Sequence, residues 1–181
     1  MKPQRSLKAR ALQWLSQREQ SRVELRRKLL PHARAEDAAA AQAEREPAEL
    51  SAAVRVEAVL DWLEANEYLS HERFVESRVH ARSARFGNLR IRHELKQHQA
   101  VLSPGAAQAL KDSELQRAQV VRERKFASWP ATAGERAKQS RFLAGRGFSP
   151  EVIGRALRGP AKSDRHDQRH DDENDDRDPN P

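Results

Sequence analysis

The sequence predicts an all-α protein: an elongated array of three tandem three-helix, helix-turn-helix-like units, followed by a disordered acidic C-terminal tail. Three observations lead there. Apolar residues recur at helical spacing, as in Val56, Val59, Leu60 and Leu63 at i, i+3, i+4 and i+7. Helix starts recur as Ser or Thr caps and as the Ser-Pro pairs Ser103-Pro104 and Ser149-Pro150. The second helices of three successive groups align on Leu29, Leu95 and Leu143, at spacings of 66 and 48 residues. The difference of 18 matches the length of an Ala/Glu-rich stretch at 32–50, which reads as an insertion in the first unit. Repeats of this length tend to stack as an array. The units are placed at 6–66, 67–112 and 113–158, with the tail at 159–181.

The elements follow in order. The first helix, about 6–17, carries Leu7, Ala11, Leu12, Trp14 and Leu15 on one side. The second opens at Ser21, with Glu24 three residues on as a capping box, and Pro31 is expected to stop it. Residues 32–50 favour helix through alanine but offer almost nothing large to bury, as a solvated insertion or helical extension. A third helix spans about 52–66. Ser70 caps a fourth, with Phe74, Val75 and Val79 inward, and Gly87-Asn88 breaks it. Asn88 is expected to cap the fifth, in which Ile91 and Leu95 face the core. The sixth starts at Pro104 and the seventh at Ser113, ending by Trp129-Pro130. Thr132 and Glu135 box the eighth, which holds Phe142 and Leu143 and stops at Gly145 and Gly147. The ninth carries Val152, Ile153, Ala156 and Leu157. Beyond Gly159 the large apolar residues vanish and disorder is expected.

Charge narrows the function. The chain has 181 residues, 34% of them charged, and a net charge of +7. The tail from Gly159 holds four Lys/Arg against eight Asp/Glu, which leaves the body at +11. Such a body attracts nucleic acid, acidic protein or anionic membrane. There is no cysteine, so no disulfide and no thiolate zinc site. No run approaches the roughly 18 apolar residues of a membrane span, and no apolar signal core follows Met1. A soluble cytosolic protein, acting as a monomer without a membrane partner, is expected.

No enzyme can be assembled. The seven histidines form no His-Glu-x-x-His motif, and His166 and His170 sit among tail acids. There is no phosphate loop and no Gly-x-Gly-x-x-Gly; Gly145-Arg146-Gly147 reads as a helix stop. Asp61 and Glu64 read as exposed helix acids. No catalytic residue, metal ligand or cofactor is expected.

The positive signal is basic. Arg78, Arg82 and Arg85 are spaced i, i+4 and i+7, and no acid lies three or four residues from any of them. Arg92 and Lys96 also lack an acidic neighbour at helical spacing, whereas Arg90 has Glu94 and Lys28 has Glu24. The second helix adds Arg22 and Arg26, the seventh Arg117, Arg122, Arg124 and Lys125, and the eighth Arg136, Lys138 and Arg141. Arginine forks favour phosphate or carboxylate. Arg78, Arg82, Arg85, Arg92, Lys96, Arg22 and Arg26 are therefore the candidate partner-binding residues. Trp14, Trp62, Phe74 and Phe142 read as core; Trp129, in a loop before proline, is left open.

Four blocks carry a family resemblance. Ser21 to Leu29, Ser-Arg-Val-Glu-Leu-Arg-Arg-Lys-Leu, is similar to the Ser-Arg-x-Glu-Leu-x-x-Lys-Leu motif of the RecX regulatory proteins. Leu63 through Tyr68-Leu69-Ser70-His71-Glu72-Arg73-Phe74 to Ser77 resembles that family's Leu-x-x-x-x-Tyr-Leu-Ser-Asp-Glu-Arg-Phe-Ala-Glu-Ser block. Arg90-Ile91-Arg92-His93-Glu94-Leu95 and Phe142 to Ser149 match two more, and the matches run in order from about Leu7 to Leu157. His71 stands where Asp is usual, Asn88 for a common Pro, and His98-Gln99 lacks the usual Gly. The resemblance implies three tandem three-helix units that bind the RecA recombinase filament on single-stranded DNA, lodged in its groove. It implies inhibition of RecA's ATPase, strand exchange and coprotease activities, damping recombination and the SOS response. It supplies no catalytic residue and no fixed contact set. The alternative is a direct DNA-binding protein of helix-turn-helix type, gripping phosphates.

Overall fold

The computed structural model describes residues 5–43, 46 and 48–158. Among them nine helices form and no strand. They are α1 (Leu7–Leu15), α2 (Arg22–Gln42), α3 (Ala52–Ala65), α4 (His71–Ser83), α5 (Asn88–Gln97), α6 (Pro104–Asp112), α7 (Glu114–Glu123), α8 (Ala133–Gly145) and α9 (Pro150–Ala156). The acidic tail at 159–181, expected to be disordered, lies outside the described residues, as do three positions of the 32–50 stretch.

Serine starts most of these helices. Ser6, Ser21, Ser51, Ser70, Ser103 and Ser149 each accept, on Oγ, the N–H three residues on. Each cap satisfies one donor the helix cannot use itself. Thr132 and Glu135 close a full capping box. At Ser21 only half the box forms, because the Glu24 carboxylate turns to Arg18 and Lys28.

The core divides into three clusters. Helices α1–α3 bury Leu25, Leu29, Val56, Leu60 and Leu63. Helices α4–α6 bury Phe74, Ile91, Leu95 and Leu110. Helices α7–α9 bury Ala118, Leu143, Phe148, Ile153 and Leu157. Leu95 and Leu143, aligned by the repeat, occupy one structural position. After α5, Gln99 N–H reaches Lys96 O and Ala100 N–H reaches Leu95 O. After α8, Gly147 N–H reaches Ala144 O and Phe148 N–H reaches Leu143 O. Both are Schellman closures, and the third residue from each helix end is the buried leucine. The closure needs a left-handed residue: Gly147 supplies φ 80°, and Gln99 adopts φ 52° where the family pattern has glycine.

Two local expectations are corrected. Pro31 does not stop α2, which runs on to Gln42. A helical proline costs about 3 kcal/mol, and contacts with α3 offset it: Ala33 is fully buried, Arg55 Nη2 donates to Ala33 O at 2.9 Å, and Arg55 pairs with Glu36 and Asp37. The 32–50 stretch is thus helical extension through Gln42. Asn88 does not cap α5; Gly87 holds the cap position without a side-chain bond. Asn88 is buried, with Nδ2 donating to Leu110 O at 3.1 Å.

Candidate partner-binding surface

The seven nominated cations separate into two groups. Arg22 is held inside the first unit: Nη2 reaches Glu57 at 2.6 Å and Asp61 at 2.7 Å, and Nη1 reaches Glu64 at 2.5 Å. Burial lowers its pKa, but the hydrogen bonds to Asp61 and Glu57 and the Glu64 charge outweigh that and raise it. Arg26 Nε lies 2.7 Å from Glu57. These two arginines clamp α2 to α3: Asp61 and Glu64 are counterions of Arg22, and Glu57 serves both. Arg82 Nε donates to Glu94 Oε2 at 2.8 Å, across from α4 to α5. Glu94 also pairs with Arg90 at 3.5 Å.

Arg78 faces the C-terminal end of α5. Its Nη2 donates to His98 Nε2 at 3.2 Å, and His98 Nδ1 then donates to Ser21 Oγ at 2.9 Å. Burial first, then the Arg78 charge, hold the His98 imidazole below its ordinary pKa, so the neutral ring bridges the first and second units. Arg73 Nε reaches Glu19 Oε1 at 2.8 Å across the same boundary.

Arg85, Arg92 and Lys96 are exposed, and among the described residues none has a carboxylate within ion-pairing distance. Arg85 is not on the helix with Arg78 and Arg82: α4 ends at Ser83, and Arg85 lies in the turn to α5. Arg92 and Lys96 sit one turn apart on α5 and line a common groove.

The contacts that join the second and third units were not visible in the sequence. The start of α5 offers three N–H donors that its own helix does not use, and α7 and the turn after α8 supply the acceptors. Gly87 N donates to Arg146 O at 2.9 Å, Asn88 N to Glu114 Oε1 at 2.8 Å, and Leu89 N to Gly147 O at 3.0 Å. Arg117 adds Nη1 to Phe86 O at 2.8 Å and Nη2 to Asn88 Oδ1 at 2.5 Å. Burial depresses the Arg117 pKa, and Glu114 pulls it back only in part. Arg122 is buried with its guanidinium 3.6 Å from the Trp129 ring centroid, which accounts for that loop tryptophan. So Arg117 and Arg122 are fold residues, not surface. Glu114 at i−3 marks Arg117, but nothing in local spacing distinguishes Arg122 from Arg124 or Lys125, which are exposed.

Among the described residues no group of three or more His, Asp or Glu side chains is placed to hold a metal ion. No described helix is long and apolar enough to cross a membrane.

The family model described as RecX, third three-helix domain, matches residues 112–157. A curated relative from Ralstonia nicotianae, named regulatory protein RecX, is 48% identical over 157 residues, covering 85% of this chain and 87% of its own length. One from Leptothrix cholodnii is 45% identical over 168 residues, covering 92% and 96%. One from Neisseria gonorrhoeae is 36% identical over 160 residues, covering 87% and 93%. Both carry the same name. Identity at that level, over more than four-fifths of each chain, is enough to say that this chain belongs to the RecX family of regulatory proteins.

Proposed function

We propose that this chain binds the RecA–DNA filament and inhibits or modulates RecA's recombinase, ATPase and coprotease activities, and so controls recombination and the SOS response. It does so as a cytoplasmic monomer, with the units at 6–66, 67–112 and 113–158 each touching the filament. Family membership supports the partner. The observation that carries the surface is on α5: Arg92 and Lys96 stand side by side, exposed, with no carboxylate in range among the described residues. Arg85, exposed in the α4–α5 turn, and Arg78 on α4 complete the proposed binding set. Arg22, Arg26 and Arg82 act through structure, by holding α2 on α3 and α4 on α5.

Contacts spread over three linked units give an avidity that no single unit reaches. A chain that spans neighbouring recombinase subunits resists the rearrangements of ATP turnover and strand exchange. The test is RecA ATPase on single-stranded DNA with increasing amounts of the full chain. Inhibition near stoichiometric ratios is expected; no inhibition there refutes the proposal. Binding to bare and to RecA-coated single-stranded DNA, at two salt concentrations, completes it. Equal affinity for both, falling steeply with salt, marks a plain DNA-binding protein.

A further inference from the structure

Beside the exposed cations of α5 lies a groove of about 600 Å³ between α5 and α6. Its floor is aliphatic: Leu95, Ala100, Val101, Leu102 and Ala107. Its edge is Arg92 and Lys96. Val101 is 75% exposed, more than any other large apolar side chain described, while its neighbour Leu102 packs into the core of the second unit.

This exposure is built in. The left-handed Gln99 turns the chain across the end of α5, and Ala100 N–H closes on Leu95 O. The Val101 N–H donates to Nε2 of His71, at 3.4 Å, which ties the segment to the start of α4. Val101 therefore points outward on a fixed backbone. Glu72 and Glu76 line a neighbouring cleft that shares Val101 and Leu102, and among the described residues neither forms an ion pair with Arg92 or Lys96.

We propose that this groove docks a protein segment carrying carboxylates beside one or two large apolar side chains. The carboxylates meet Arg92 and Lys96, and the apolar side chains cover Val101 and the exposed part of Leu102. A nucleobase fits the groove poorly, because its lining holds no aromatic ring to stack on. Aliphatic floor and cationic edge together match the helix-in-groove and acidic-motif modes of peptide recognition. This rests on the filament reading in one respect only: the segment belongs to the recombinase.

The test uses the full chain and a Val101→Asp variant, with Val101→Ser as a charge-free second variant. Both keep the fold, since Val101 is mostly solvated. Three probes are measured: RecA-coated single-stranded DNA, bare oligo-dT, and a labelled synthetic peptide of interspersed Glu and Leu. With Val101→Asp, affinity for coated DNA and for the peptide is expected to fall about tenfold or more, while oligo-dT binding stays within about twofold. Val101→Ser is expected to fall in between, and replacing the peptide's leucines by serine abolishes its binding. Unchanged affinity of both variants for coated DNA and peptide overturns the groove. Equal loss on oligo-dT overturns it in favour of nucleic acid. If the unsubstituted chain grips coated DNA no better than oligo-dT, the filament reading fails, and the peptide measurement still decides the groove.

Discussion

Replacing Gly87 by alanine isolates the docking of the third unit on the second. Gly87 has φ −80° and ψ 170°, which alanine adopts freely, so backbone strain plays no part. A methyl group at this position would overlap Gly147 O, Phe148 N and Gly147 C. All three are backbone atoms and cannot swing aside as a side-chain end can. The two units must separate by more than the hydrogen bonds between them tolerate. Those bonds are the N–H groups of Gly87, Asn88 and Leu89 to Arg146 O, the Glu114 carboxylate and Gly147 O. A neutral buried hydrogen bond contributes about 1 kcal/mol and one to a charged group about 2 kcal/mol, so the three together lose about 4 kcal/mol. That is about a thousandfold in an opening equilibrium.

Two measurements read it. Amide hydrogen exchange at Asn88 and Leu89 should speed up by about that factor. Urea unfolding followed by tryptophan should lose its single transition, since Trp14 and Trp62 report the first unit and Trp129 the third. Gly105→Ala is the control, because nothing lies within 4 Å of a methyl group there. A Gly87→Ala protein with the control's urea midpoint and native protection at Leu89 would refute this account of the boundary.

The other predictions follow from single side chains. The depressed pKa of His98 means the unfolded chain takes up that proton first as pH falls. Its contribution is complete above the ordinary histidine value of about 6.5 and is lost as pH drops through the folded value; the fall in urea midpoint towards about pH 5 should be smaller in His98→Gln. Gln99→Gly relieves a left-handed non-glycine residue and should raise stability by about 0.5–1 kcal/mol; a lower melting temperature would count against the Schellman assignment. Arg22→Ala should destabilise the first unit by about 1 kcal/mol, a value discounted for solvent because the side chain is 34% exposed, and leave filament binding unchanged once folded. Arg92→Glu with Lys96→Glu should do the reverse, weakening filament binding at least about tenfold with an unaltered melt.

Helices were legible where their causes are local. A serine or threonine hydroxyl and the amide three residues on form a cap whatever the rest of the chain does, and Ser21, Ser70, Ser103, Thr132 and Ser149 announced five helices. The repeat was legible because Leu95 and Leu143 do one job, closing a Schellman turn over a core. What lay hidden depends on residues distant in sequence. Pro31 obeys no local rule once Arg55, 22 residues after Ala33, holds the next turn against α3. Arg22 has Glu19 three residues before it, yet that acid pairs with Arg73 and Arg22 takes three carboxylates from α3, the farthest 42 residues away. Arg82 meets Glu94 from the neighbouring helix. Scanning one helix for i±4 partners finds exposed ion pairs, which matter least for stability, and misses those that join elements.

That same sorting explains why the charge on α5 is available. Arginines that join helices are neutralised by carboxylates or backbone carbonyls: Arg22 and Arg26 by α3, Arg82 by Glu94, and Arg117 by the carbonyls of Phe86 and Leu110. Among the described residues Arg92 and Lys96 join nothing. Yet the helix that carries them is fixed at both ends, by His98 against Ser21 at one and by the third unit's acceptors at the other. Their position relative to both flanking units is therefore set before any partner arrives. A partner then has little backbone left to order, which is the larger part of the cost that flexible cationic segments meet on binding. In the proposed reading, the unpaired charge on this doubly anchored helix supplies the binding free energy and the paired arginines supply the frame that holds it.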